Sequence, residues 1–104
     1  MGLRISTPTL GVIAPPITRV VGLSQGTNLE AQNIYVYNGS TDIVVNLPSA
    51  PADGAQITIK NIGTAQVQIA SALVEGVDQT IEIDSNRPVT LVWTILTGVG
   101  WVLI

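Results

Sequence analysis

No charged residue occurs from Pro88 to Ile104, and the sequence stops on Trp101-Val102-Leu103-Ile104. Soluble domains commonly end in a polar, frayed tail. This stretch reads instead as a strand with apolar residues on both faces. Alternation places Leu91, Trp93 and Ile95 on one side, and Val92 and Leu96 with Thr90 and Thr94 on the other. One protein core covers one face, so the second calls for other cover, from another copy of the chain or a larger assembly. Val92, Trp93, Ile95, Leu96, Val99, Trp101 and Leu103 are therefore the expected subunit-interface residues.

Composition points the same way. Of 104 residues, 46% are hydrophobic and 11% charged, against about a quarter charged in an ordinary domain. A surface this short of charge favours assembly. The length fits one domain. The net charge is −3, and the basic residues Arg4, Arg19, Lys60 and Arg87 are scattered singly. Nucleic acid and anionic membrane surfaces both require clustered basic groups, so neither is an expected partner. There is no Cys and no His. That removes thiolate nucleophiles, the commonest general base and the usual zinc ligands. No cofactor or metal is expected, and no enzymatic activity.

The period of two from Pro88 onward, together with Gly98 and Gly100, argues against a membrane helix. Pro8, Pro15 and Pro16 break any signal-peptide helix. Met1-Gly2-Leu3-Arg4-Ile5-Ser6 fits the myristoylation pattern, which we read as a chance match. The sequon Asn38-Gly39-Ser40 reads as a turn.

The chain divides near Gly26. Residues 1–25 are apolar and Pro-bearing, with Gly2, Gly11 and Gly22, and read as an extended arm. The arm is pinned on a partner or supplies edge strands to its own domain. Gly26 to Ala31 has room for one helical turn. Residues 26–104 then carry regular strand signals: Asn33–Tyr37, Asp42–Leu47, Gln56–Ile62, Ala65–Ala70, Gln79–Ile83, Val89–Leu96 and Gly100–Ile104. Ser71 to Val77 reads as a loop, and Thr97-Gly98-Val99 as the turn of a closing hairpin. No repeat of fixed period is visible. The expected fold is all-β: an antiparallel sandwich or barrel of about seven short strands, with an aliphatic core.

From Leu47 to Ile104, about half of the chain, the sequence resembles a recurring β-module of tailed-phage virion proteins. The residues that carry the likeness are Asn46-Leu47-Pro48-Ser49-Ala50, Asp53-Gly54-Ala55-Gln56-Ile57-Thr58-Ile59-Lys60-Asn61, Val67-Gln68-Ile69-Ala70, Gln79-Thr80-Ile81, Val89-Thr90-Leu91-Val92 and the closing Gly100-Trp101-Val102. The module occurs in head fibres, head decoration proteins and tail-fibre segments, commonly as trimeric β-structure. The likeness implies a structural virion protein on the capsid surface, made in the host cytoplasm. The short chain favours a head decoration, or cement, protein that forms a homotrimer and binds the major capsid protein. Its arm would contact the capsid through Leu3, Ile5, Leu10, Val12, Ile13 and Ile17. The alternative is a short head fibre or tail-tip adhesin that binds host-surface glycans. One departure stands out. The segment before the final Trp, usually a polar turn, is Ile95-Leu96-Thr97-Gly98-Val99 here, which favours contact with a partner.

Two other clusters invite chemistry. Asp78, Thr80, Glu82 and Asp84 share one strand face, with Glu75 just before. A hard-cation site is one reading. Without a Gly-bearing metal loop, the solvated outer face that alternation produces by default is the preferred one. Tyr35, Tyr37, Trp93 and Trp101 would make an aromatic platform for sugars if exposed; packing is the plainer role.

Overall fold

A computed structural model describes residues 19–104, and the capsid-contact residues expected in the arm, Leu3 to Ile17, lie outside that range. The described residues form eight strands and no helix: β1 (Arg19–Gly22), β2 (Asn33–Tyr37), β3 (Ile43–Val45), β4 (Gln56–Asn61), β5 (Val67–Val74), β6 (Val77–Ile83), β7 (Arg87–Thr94) and β8 (Gly100–Leu103). They make one curled sheet, a half-barrel, in the order β1-β2-β4-β7-β8-β5-β3, with β6 paired to β5.

The all-β architecture matches the expectation, but the sheet is mixed. β1 with β2, β2 with β4, β3 with β5 and the short β5–β8 contact are parallel. The β4–β7, β5–β6 and β7–β8 pairs are antiparallel. The reason lies in the connections. Parallel neighbours need a crossover of a dozen or so residues, and here the crossover is itself a strand of a second ladder. After β1 the chain crosses to pair residues 26–29 with β3: Gly26 N–H donates to Val44 O (2.8 Å), and Leu29 N–H to Asn46 O (2.8 Å). It then returns to β2, crosses again for β3, and returns for β4. Gly26 to Ala31 therefore holds a parallel bridge, Asn28 to Asn46, and not a helical turn. The described end of the arm, Arg19–Gly22, is an edge strand of the chain's own sheet.

This winding stacks side chains in rows. On the inner face Val21, Tyr35, Ile59 and Val89 stand in register, as do Ile57, Leu91 and Leu103. Across the core, Ile43, Val67 and Ile83 form another row, and Val45, Ile69 and Ile81 the next. Ile57, Ile59, Val67, Ile69 and Leu91 are wholly buried. Each contributes about 1.5–3 kcal/mol of transfer free energy. The two buried tyrosines keep their phenols satisfied. Tyr35 Oη accepts from Glu30 N–H (2.7 Å), and Tyr37 Oη donates to Thr41 O.

β5 closes the curl. Its pairing with β6 shifts register between Ile69 and Ala72, a bulge that bends the strand. Before the bulge β5 lies beside β3; beyond it, Val74 lies beside Trp101 of β8. The expected loop from Ser71 to Val77 is thus strand up to Val74, followed by a two-residue turn. Glu75 and Gly76 both take positive φ, 50° and 85°, which is the backbone that matches the twist of a hairpin.

Asn61, fully buried at the end of β4, fixes the opposite end of the sheet. Its Nδ2 donates to Ala65 O (2.7 Å) and Ile83 O (2.9 Å), and its Oδ1 accepts from Gly63 N–H (3.0 Å). One side chain therefore ties β4 and β6 to the turn that leads into β5.

Candidate interaction surfaces

The outer face of the β1-β2-β4-β7-β8 ladder is nearly free of charge. Register sets Val20, Ile34, Thr58 and Thr90 in one outward row, extended by Ile104, whose N–H donates to Thr90 O (3.0 Å). Gln56, Val92 and Val102 form the next row. Val20 and Ile104 are 70% and 75% exposed. The hydroxyls of Thr58 and Thr90 lie 3.1 Å apart and satisfy each other. Lys60, beside Val36 and Pro88, is the single charged side chain in these rows.

A second apolar surface lies at the end of the sheet where the β5–β6 and β7–β8 turns meet. Gly76 N–H donates to Val99 O (2.9 Å) and Glu75 N–H to Trp101 O (2.8 Å), so the two turns are stitched together. Val77, Ile95 and Leu96 project there, 58%, 72% and 67% exposed.

These surfaces divide the expected interface residues. Val92 faces outward, half-buried. Ile95 and Leu96 lie beyond β7 in the open, and Val99 is half-buried in the turn. Leu103, partly exposed, ends the inner row, and its N–H is capped by Glu75 Oε2 (3.2 Å). Trp101 is buried inside the chain's own core against the half-buried Trp93. Sequence reasoning missed Val20, Ile34, Val102 and Ile104 on the outer face. The signal for Val102 and Ile104 was present: a hairpin around Thr97-Gly98-Val99 puts them on the side of Val92.

The acidic strand is a sheet margin. β6 pairs with β5 alone on the sheet path, and Asp78, Glu82 and Asp84 are all exposed. Charges on such an edge block pairing with other chains. Asp84 accepts from Gln66 Nε2 (2.9 Å). Among the described residues no group of three or more His, Cys, Asp or Glu is placed to hold a metal. Tyr35, Tyr37 and Trp101 are buried, so these rings form no exposed platform for sugars. Among the described residues, no helix is long and apolar enough to cross a membrane.

No family model matches the chain, and no curated protein does. The fold is similar to part of a solved structure of a chaperone-substrate complex, with a TM-score of 0.59 at 10% identity. The match covers 82% of this chain and 16% of that one, so the chain spans a small fraction of the protein it resembles. At this identity the likeness concerns the fold alone.

Proposed function

We propose that the chain is a structural protein of a tailed-phage particle, a head decoration protein that forms a homotrimer and binds the assembled capsid. The observation that carries this reading is the outer sheet face, with Val20, Ile34, Val92, Val102 and Ile104 turned toward solvent and Lys60 as its lone charged side chain. A face of this kind gains by being covered. The sequence likeness from Leu47 to Ile104 supplies the context. The outer face serves contact between subunits, and the segment that holds Leu3, Ile5, Leu10, Val12, Ile13 and Ile17 reaches the capsid.

The mechanism is mass action. A protein that binds the closed shell and not its open form shifts the balance toward the closed shell by its binding free energy. The chain's part is to present apolar area at little ordering cost, because the sheet is already formed. The glycan-adhesin alternative calls for an exposed cluster of aromatic and Asn/Asp residues on loops, and burial of Tyr35, Tyr37 and Trp101 lends it no support.

The test is co-sedimentation of the purified chain with undecorated shells. Saturable binding that raises the temperature of shell opening is the expected result. Absence of binding to shells, with binding to host cells instead, would overturn the proposal.

A further inference from the structure

We infer that the end of the sheet carrying Val77, Ile95, Leu96 and Val99 is a plug for a different protein, one whose apolar socket is rimmed by Lys and Arg.

The plug is built, not incidental. Val99 N–H closes its turn on Leu96 O (3.2 Å), and Gly76 N–H holds that turn to the neighbouring hairpin. On the other side Asp53 Oδ1 accepts from Ile95 N–H (3.1 Å), and Gly54 N–H donates to Trp93 O (2.9 Å). Exposed aliphatic side chains are thus held on backbone that is bonded from two directions. Such preorganisation lowers the ordering cost of docking.

Charge identifies the partner. Asp53, Glu75 and Asp78 surround the aliphatic groups and are exposed. Among the described residues Arg19 stands at this end, in register with Asn33 and three strands along from β7, while residues 74–79 and 92–103, which carry the aliphatic groups, include no Lys or Arg. Lys60 and Arg87 sit at the far end of the β4–β7 pair, opposite Pro88 and Asn61. An apolar centre inside an acidic rim has the anatomy of an interface patch. Its complement is apolar within a basic rim.

A second copy supplies a poor socket. Contact between like ends would oppose carboxylates, the opposite end sets Asp42 and Asp84 beside its Lys60 and Arg87, and the outer sheet face offers the Lys60 side chain alone. The proposal therefore moves Ile95, Leu96 and Val99 out of the subunit contact and leaves the outer face to it. It stands whether or not the partner is a capsid protein.

Site-specific photocross-linking tests this. A benzophenone amino acid replaces Leu96 in the full chain, with Asn38 at the opposite end as the control position, in the cells that make the protein. The expected result is one dominant adduct from position 96, mapped by mass spectrometry to apolar residues of another polypeptide with Lys or Arg beside them. Its yield should fall several-fold in high salt and in Glu75→Gln with Asp78→Asn. Adducts only to another copy, no adduct, or an adduct at a site without basic residues would overturn the inference. A well-mapped adduct to a protein that is no part of a particle would uphold it and sink the decoration reading.

Discussion

Trp93 and Trp101 face each other across the β7–β8 pair with ring centroids 5.5 Å apart and planes at 66°, edge to face. Trp101 lies inside the core, and Trp93 covers it from the rim. The pair is the bulkiest packing unit in a chain without Phe. Trp101→Ala should cost about 3–5 kcal/mol, the range for an aromatic deleted from a core. Trp93→Leu should cost less, and should abolish the coupled indole signal expected in circular dichroism. Denaturant titration and spectra of the two variants check both.

Asn61 gives a second prediction. Asn61→Ala strips partners from two carbonyls and one amide at a site without solvent. The expected loss is at least about 2 kcal/mol, since each unmet buried group costs roughly 1–3 kcal/mol. Equilibrium unfolding in urea would read it; a loss below a few tenths of that figure would mean that water replaces the side chain.

Two glycines separate backbone strain from steric contact. Gly98 and Gly100 have φ of 78° and 76°. A Cβ on Gly98 meets nothing within 4 Å, while one on Gly100 would fall 2.4 Å from Leu73 O. Gly98→Ala should cost about 1–2 kcal/mol, the left-handed penalty alone. Gly100→Ala should cost about 1–3 kcal/mol more, from overlap with the β5 backbone. Equal losses would contradict the close β5–β8 approach.

The outer face can be tested without disturbing the core. Val92→Lys places a charge on the sheet's outer side, where Val92 opposes Val102. The variant should remain folded, with a stability change within about 1 kcal/mol, the scale of sheet surface substitutions. Its mass in solution should fall from that of a trimer to that of a monomer. A monomeric parent chain would rule out the trimer before any variant is made.

Much of the fold was legible in the sequence. β2 lies where alternation put it, and the inward Ile57, Ile59, Val67 and Ile69 follow from the period of two. The parallel winding was not legible, for a physical reason. Asn33 pairs with Arg19, an offset of 14 (33 − 19), while Ile57 pairs with Asn33, an offset of 24 (57 − 33). Coils of unequal length stack their strands in register yet leave no fixed period. Side-chain alternation also gives no direction to a strand, so parallel and antiparallel neighbours read alike.

The interface residues were partly legible. An uncharged strand announces two apolar faces, and Val92 is outward as alternation requires. Alternation does not say which face belongs to the core, and a tryptophan such as Trp101 suits either. The curl of the sheet, set by the β5 bulge, decided it.

The most direct test of the central claim is the chain's position in an intact phage particle, by cryo-electron microscopy or by antibody labelling. Trimeric density on the outer surface of the head, with the uncharged sheet faces turned toward one another, is the predicted result. Density confined to the tail, or a particle that lacks the chain altogether, would contradict it.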